Sequence, residues 1–245
     1  MVRLLLLGGT AEARALAARL LPEVQVISSL AGRIPDPALP VGEVRIGGFG
    51  GVEGLRRWLA ESGVDAVLDA THPFAATITA NAATACRGLG MPYAVLARPA
   101  WPHGTAIVVE SDTAAAKAVA GNDYSRVFLT TGRTGVGAFA GLGAWFLIRA
   151  VTPPDDATLP LRHQLLLSRG PYRYDDELNL LREHRIDALV TKNSGGDMTR
   201  AKVDAADALG VPVVMVDRPP LPDGVHAVPT VAEAETWVRE RLRGG

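Results

Sequence analysis

The chain has 245 residues, of which 48% are hydrophobic and 21% charged, and its formal net charge is −1. This composition is typical of a folded protein with one large or two smaller domains. The near-zero charge excludes broad electrostatic binding to nucleic acid or to a membrane surface, so local groups must bind any anionic ligand. The single cysteine, Cys86, excludes an intrachain disulfide and a cysteine-rich metal site, and we interpret it as a packing residue.

The opening apolar run is only a few residues long and leads directly into glycines, which is not the pattern of a signal peptide. No apolar stretch approaches the roughly 20 residues needed to cross a bilayer. The five histidines are scattered without the spacing of metal ligands. We therefore expect a cytoplasmic protein with no protein-bound metal.

Short apolar runs alternate with alanine-rich segments along the whole chain. The runs predict strands at Arg3–Leu7, Val24–Ser28, Glu43–Ile46, Ala66–Asp69, Tyr93–Leu96, Ala106–Val109, Val127–Thr130, Trp145–Ala150, Ala188–Thr191 and Val213–Val216. The segments between them predict helices at Ala11–Leu21, Gly51–Ser62, Ala75–Leu89, Ala114–Ala120, Asp175–His184, Thr199–Leu209 and Val231–Leu242. Such alternation, with continuously apolar strands, indicates parallel α/β sheets covered by helices on both faces.

A segment rich in proline and glycine, Arg98–Gly104, indicates a linker between two domains. We predict two Rossmann-like lobes, residues 1–100 and 101–245, each with a parallel sheet flanked by helices. A cleft between the lobes is the expected ligand site.

The first predicted strand ends in Gly8-Gly9-Thr10, and a helix-forming stretch follows. This layout is typical of a βα turn that binds phosphate at the amino terminus of a helix. The dinucleotide fingerprint is incomplete, and an ordinary tight βα turn is the alternative. Glu12 would repel a pyrophosphate, so we expect its side chain to turn away.

The second predicted strand ends in Ser28-Ser29, and Arg33 follows without an acidic residue nearby. A cofactor with a free ribose 2′-hydroxyl usually meets a carboxylate at this place. Two hydroxyls and a guanidinium suit a 2′-phosphate instead, so the pattern indicates NADP(H).

Two further segments of the first half carry ligand-binding chemistry. The run Gly47–Gly51 surrounds Phe49 with four glycines, which permits close approach to a flat ligand, although a flexible loop is the alternative. In Asp69–Ala75, Asp69 and Thr71 follow a strand, where α/β sheets usually contact ligands. His72 is a candidate acid or base, or a helix-start histidine bonded to the backbone.

The second half repeats this pattern at Thr130–Arg133 and at Thr191–Gly196, each with hydroxyls, glycine and one cation after an apolar strand. Such groups suit a ligand rich in carboxylate or phosphate, and capped turns with solvated charges are the alternative. The turn Ser168–Tyr172 adds Arg169, which either lines a cleft or lies on a plain surface turn.

Taken in order, these segments resemble the precorrin-6A reductase family of cobalamin biosynthesis. The resemblance covers nearly the whole chain, and it depends most on the combination of D-A-T-H-P-F-A at Asp69–Ala75 with T-K-N-S-G-G at Thr191–Gly196. It implies an oxidoreductase acting on a CH–CH type bond, with NADPH reducing a double bond of the precorrin-6A macrocycle by direct hydride transfer.

With the resemblance, the candidate residues fall into two groups. Cofactor binding is predicted for Gly8, Gly9, Thr10, Ala11, Ser28, Ser29, Arg33, Gly47, Gly48, Phe49, Gly50 and Thr71. Binding of the tetrapyrrole substrate is predicted for His72, Arg98, Thr131, Arg133, Arg169, Lys192, Asn193 and Ser194, with the four cations pairing with its carboxylates. Both cobalt-free and cobalt-bearing substrates fit, because neither requires protein ligands to the metal. The alternative function is a non-catalytic NADP(H)-responsive binding or sensor module.

Overall fold

The computed structural model describes residues 2–32 and 39–243, and Arg33 therefore lies outside the described residues. The chain divides into two compact units. Unit 1 contains residues 1–99 and 219–245, and unit 2 contains residues 100–218. The chain first passes from unit 1 to unit 2 between Pro99 and Ala100, which lies inside the segment predicted to be a linker.

The described elements, in chain order, are β1 (Arg3–Leu7), α1 (Ala11–Leu20), β2 (Gln25–Leu30), β3 (Glu43–Ile46), α2 (Gly51–Ser62), β4 (Ala66–Asp69), α3 (Ala76–Leu89), β5 (Tyr93–Leu96), β6 (Ile107–Val109), α4 (Asp112–Gly121), β7 (Arg126–Thr130), β8 (Trp145–Ala150), β9 (His163–Leu167), α5 (Tyr174–Glu183), β10 (Ala188–Lys192), α6 (Ala201–Leu209), β11 (Val213–Val216), β12 (His226–Val228) and α7 (Val231–Arg243). Short 3-10 helices at Val136–Phe139 and Asp156–Thr158 complete the set.

Unit 1 contains a six-stranded sheet in the order β3-β2-β1-β4-β5-β12, and every strand pair in it is parallel. Alternate residues of β1 pack on opposite faces, as a strand covered on both sides requires. Leu4 and Leu6 face one buried cluster, and Leu5 and Leu7 face another. The strand order reverses direction between β1 and β4, and the carboxyl ends beside such a reversal are where ligands bind in doubly wound sheets.

Unit 2 repeats this arrangement with the parallel order β9-β8-β7-β10-β11-β6. Its core includes Phe128, Leu147, Leu189 and Met215, none of which is exposed. The order reverses between β7 and β10. The two-unit parallel α/β fold that the sequence predicted is thus confirmed.

The carboxyl-terminal segment returns to unit 1, which corrects the predicted second domain of residues 101–245. β12 pairs with β5, in the register His226↔Ala94, and α7 packs Trp237 and Val238 into the same core as α1. Conversely, β6 lies at the edge of the unit 2 sheet beside β11. Strands of three residues carry too little periodicity to assign them to a sheet from sequence.

Other elements also differ from prediction. β2 continues to Leu30, two residues beyond its predicted end, and β9 and β12 had no predicted counterpart. Among the described residues, no helix combines the length and apolar character needed to span a membrane.

Candidate functional site

The turn after β1 is held in place by the hydroxyl of Thr10. This hydroxyl accepts a hydrogen bond from the Ala13 amide at 3.1 Å, capping α1, and donates to the Ala70 carbonyl at 2.7 Å. The second bond joins the loops after β1 and β4 at the reversal of the sheet. Gly9 has φ +110°, which favours glycine. Because the first-turn amides of a helix have no intrahelical acceptor, those of Ala11 and Glu12 suit an anion.

The Thr10 hydroxyl proton is therefore already used within the protein. Of the groups predicted at this turn, the backbone amides are the remaining donors for phosphate. Gly8 contributes differently, because its amide donates to the Ser29 carbonyl at 3.0 Å and ties the turn to β2.

Glu12 forms an ion pair with Arg98. The Arg98 Nη1 lies 2.9 Å from the Glu12 Oε1, and the two side chains are 15% and 26% exposed. The ion pair offsets the repulsion that a lone carboxylate would exert on a pyrophosphate. Arg98, predicted to bind substrate, thus stands beside the glycine turn of unit 1 with its charge paired.

The loop after β4 is organised by the buried carboxylate of Asp69, which is 1% exposed. Its two oxygens accept hydrogen bonds from the Thr71 amide at 2.9 Å, the Thr71 hydroxyl at 2.6 Å, the Thr79 hydroxyl at 2.7 Å and the Tyr93 hydroxyl at 3.1 Å. Burial and the neighbouring carboxylate raise the pKa of Tyr93. Asp69 is therefore a structural anchor, and the Thr71 hydroxyl already donates its proton within the protein.

His72 lies exposed on this loop. Its Nδ1 accepts a hydrogen bond from the Phe74 amide at 3.3 Å, and the two rings lie 5.8 Å apart. His72 is thus bonded to the backbone, as one of the two interpretations predicted. Its role as an acid or base stays a prediction.

The glycine run after β3 is organised by Arg45, a residue to which the sequence assigned no role. The Arg45 guanidinium donates to the carbonyls of Gly47 at 2.6 Å and Gly48 at 2.7 Å, and to the Ser29 hydroxyl at 3.3 Å. It stacks 3.7 Å from the centroid of the Phe49 ring, and its partial burial lowers its pKa. Arg45 lies directly opposite Ser29 in the register of β2 and β3, and this pairing is not visible in the sequence.

Ser28 does not belong to this group. It is 1% exposed, and its hydroxyl is enclosed without a hydrogen-bond partner among the described residues. Because side chains alternate along a strand, Ser28 and Ser29 point to opposite faces of the sheet. The prediction that the Ser28 hydroxyl binds phosphate is therefore wrong, whereas Ser29 lies beside Arg45.

In unit 2, Thr131 and Arg133 follow β7, and Lys192 is the last residue of the neighbouring strand β10, so all three lie at the carboxyl ends of the strands. Lys192 Nζ lies 3.2 Å from Asp112 Oδ2 at the first residue of α4, so its charge is paired. Thr131 is 4% exposed with an enclosed hydroxyl, which corrects its predicted contact with substrate. Arg133 is half-buried and makes no ion pair with a described residue.

Asn193 has a structural role instead of the predicted contact with substrate. It is fully buried, and its side chain accepts from the Trp101 amide at 2.9 Å and donates to the Trp101 carbonyl at 3.1 Å. The Trp101 indole donates to the Gly196 carbonyl at 2.7 Å. Ser194 remains half-buried on the same loop, and Arg169 is exposed on its turn.

Unit 2 also contains a buried cluster of charged residues that the sequence analysis did not identify. Arg149 binds both carboxylate oxygens of Glu177, at 2.9 and 2.8 Å, and Lys202 donates to the Thr199 carbonyl at 2.6 Å. Burial lowers the pKa of Lys202 to about 7. These groups are enclosed by protein and bonded to one another or to the backbone, so we assign them to structure.

We compared the chain with models of known protein families. The family model for precorrin-6x reductase CbiJ/CobK matches residues 3–239. The chain belongs to the precorrin-6x reductase family.

Relatives of this family match nearly end to end. The precorrin-6A reductase of Mycobacterium tuberculosis is 68% identical over 238 residues, covering 97% of this chain and 98% of the relative. The precorrin-6A reductase of Rhodococcus erythropolis is 56% identical over 248 residues, covering 97% and 98%. A solved structure of CobK precorrin-6A reductase superposes with a TM-score of 0.90 at 36% identity, covering 98% and 97% of the two chains.

In this member of the precorrin-6x reductase family, several donors of unit 1 suit an anion such as phosphate. They are the first-turn amides of α1, which have no acceptor within the helix, together with the turn at Gly9 and the Arg45 guanidinium beside Ser29. Among residues 2–32 and 39–243, no group of three or more His, Cys, Asp or Glu is placed to hold a metal ion.

Proposed function

We propose that this chain is an NADPH-dependent precorrin-6A reductase of cobalamin biosynthesis, which reduces one double bond of the tetrapyrrole by direct hydride transfer. The observation that carries the proposal is the match to a relative named precorrin-6A reductase, 68% identical across 97% of this chain. The two polar edges of the sheets support it, since a dinucleotide and a polycarboxylate each require concentrated donors.

Unit 1 is the proposed NADPH-binding unit. The amides of Gly9 to Glu12 would bind the pyrophosphate, and Ser29, Arg45 and Arg33 would bind the 2′-phosphate. The Gly47–Gly50 loop, held by Arg45, would line the cofactor with exposed backbone. Bound NADPH supplies the hydride, and the protein's own contribution is to hold it in position and to shield it from water.

Unit 2 is the proposed tetrapyrrole-binding unit. Arg133 and Lys192 are its leading candidates for binding the acetate and propionate groups of the ring, with Arg169 and Ser194 as further candidates. Hydride addition also requires a proton, and His72 is the candidate donor because its ring is exposed on the loop after β4.

The decisive experiment follows the absorbance of NADPH with purified protein. We expect oxidation only when precorrin-6A is added, and parallel reactions with the cobalt-bearing form determine the natural substrate. The second comparison is motivated by a 32%-identical relative from Methanothermobacter thermautotrophicus named cobalt-precorrin-6A reductase, which covers 88% of this chain and 76% of the relative. Tight NADPH binding without turnover of either substrate would instead favour the sensor module.

Removing Arg45 or Arg33 should weaken NADPH more than NADH. The loss of a guanidinium–phosphate contact costs about 1.5–3 kcal/mol, or roughly ten- to a hundredfold in affinity. Calorimetric titration of both cofactors into Arg33→Ala, Arg45→Ala and Arg45→Lys measures this, with Arg57→Ala, an exposed arginine of α2, as the control. Equal losses for NADH and NADPH would show that these arginines shape the loop and do not bind the 2′-phosphate.

Removing Arg133 or Lys192 should weaken the tetrapyrrole and leave NADPH affinity nearly unchanged. Charge-assisted contacts to a carboxylate contribute about 1–3 kcal/mol each. Separate titrations of Arg133→Ala and Lys192→Ala with each ligand test this, with Lys117→Ala, an exposed cation of α4, as the control. Variants that lose NADPH and retain the tetrapyrrole would mean that the roles of the two units are reversed.

A further inference from the structure

Lys192 has an acidic neighbour that was not among the predicted site residues. Asp112 is the first residue of α4, directly after the Ser111 cap, and its Oδ2 lies 3.2 Å from Lys192 Nζ. The pair is largely enclosed, with 25% and 14% of the two side chains exposed. A carboxylate in the first turn of a helix interacts favourably with the helix dipole.

The other oxygen of this carboxylate, Asp112 Oδ1, is closely surrounded by protein atoms. Asp112 Oδ1 and the Thr131 hydroxyl are both enclosed, and neither has a hydrogen-bond partner among the described residues. A Cβ built on Gly135 would lie 2.8 Å from Asp112 Oδ1 and 2.7 Å from Thr131 Oγ1. The carboxylate and the hydroxyl therefore occupy the space that any side chain at position 135 would need.

Unpartnered buried polar atoms are costly, and each one in a native protein requires an explanation. Here one of them belongs to the carboxylate that pairs with a candidate substrate-binding cation, and the other is the Thr131 hydroxyl. A lysine side chain has many rotamers, and a neighbouring carboxylate reduces the entropy lost when the ammonium binds a ligand.

We propose that Asp112, confined by Thr131 and Gly135, is a positioning residue that holds the Lys192 ammonium ready for a carboxylate of the substrate. The inference rests on the proposed function, because it takes Lys192 to be a substrate-binding group. An ammonium has three donors, so pairing with one aspartate oxygen is compatible with a second anion.

The first test needs no substrate. Acetylation of Lys192 by acetic anhydride is followed by peptide mass spectrometry, with the exposed Lys117 of α4, the helix that carries Asp112, as an internal reference. Asp112→Asn should raise the acetylation rate of Lys192 about three- to tenfold, as loss of a partly buried ion pair predicts. Asp112→Glu should largely restore the protection, and the control Asp175→Asn, which removes an acid from the first turn of α5, should leave the rate unchanged.

The second test uses steady-state kinetics with the tetrapyrrole in the Lys192 and Lys192→Met backgrounds. Asp112→Asn should raise the KM about three- to tenfold with kcat within about twofold, and should have no effect once Lys192 is methionine. Gly135→Ala displaces the carboxylate by steric overlap. It should therefore also raise the KM when Lys192 is present and have no effect when Lys192 is methionine, and it replaces Asp112→Asn in this test if that variant does not fold. The dissociation constant of NADPH should stay the same throughout.

Unchanged acetylation of Lys192 in both Asp112→Asn and Gly135→Ala would overturn the proposal, whatever the enzyme's substrate. An equal rise in KM in both lysine backgrounds would overturn it too, as would tighter tetrapyrrole binding by Asp112→Asn. If the wild-type protein fails to reduce any tetrapyrrole while acetylation responds as expected, the proposed function fails and the assignment of Asp112 as the partner that holds Lys192 stands.

Discussion

Replacing Asp69 with alanine should lower the free energy of unfolding by about 3–5 kcal/mol, because it removes a buried acceptor with four bound donors. The amide and hydroxyl of Thr71 and the hydroxyls of Thr79 and Tyr93 would all lose this acceptor inside the protein. Urea unfolding followed by circular dichroism measures the change.

Two companion variants identify the cause. Asp69→Asn keeps one acceptor oxygen and the shape of the side chain, so it should destabilise less than alanine does. Glu43→Ala removes a carboxylate that is 52% exposed and 3.6 Å from Arg3, and surface pairs of this kind contribute about 0–1 kcal/mol. If Asp69→Ala cost no more than Glu43→Ala, the carboxylate would not anchor the loop after β4.

Replacing Gly54 with alanine should destabilise the protein by about 2–5 kcal/mol and weaken NADPH binding. A Cβ at this position would lie 1.8 Å from the carbonyl oxygen of Phe49 and 2.8 Å from its carbon. Either α2 or the Gly47–Gly50 loop must move to relieve this overlap, and that loop carries the proposed cofactor contacts. Thermal unfolding and NADPH titration of the same variant measure both effects.

Gly88→Ala is the matched control, because Gly88 also lies inside a helix, α3. The atoms nearest to a Cβ there belong to the Arg56 side chain, at ordinary contact distances of 3.6–3.8 Å. Alanine is favoured over glycine in a helix interior, so this variant should gain up to about 1 kcal/mol. A Gly54→Ala variant as stable as Gly88→Ala would show that α2 tolerates a side chain beside Phe49.

The sequence by itself determined the class of fold and the places where ligand chemistry concentrates. The apolar runs within β1 and β8, residues 4–7 and 146–148, indicate buried parallel strands, because a strand covered on both faces carries apolar residues on both of its sides. The turns at Gly8–Thr10 and Thr130–Arg133 were also recognisable, since glycine and hydroxyl residues directly after a strand are a local signal.

Only the tertiary structure decided which partner each polar group takes. Arg45 beside Ser29, Arg98 with Glu12, and Lys192 with Asp112 join residues that are 16, 86 and 80 positions apart. Such contacts depend on strand order and register, which local periodicity does not encode.

The same reason explains the errors in the sequence predictions. Ser28 and Asn193 have the residue types of a binding site, but one side chain points into the core and the other bonds to the backbone of Trp101. The return of His226–Val228 to unit 1 likewise rests on pairing with β5, more than a hundred residues earlier. Residue type and position after a strand are local properties, whereas burial and pairing are settled only when the sheets assemble.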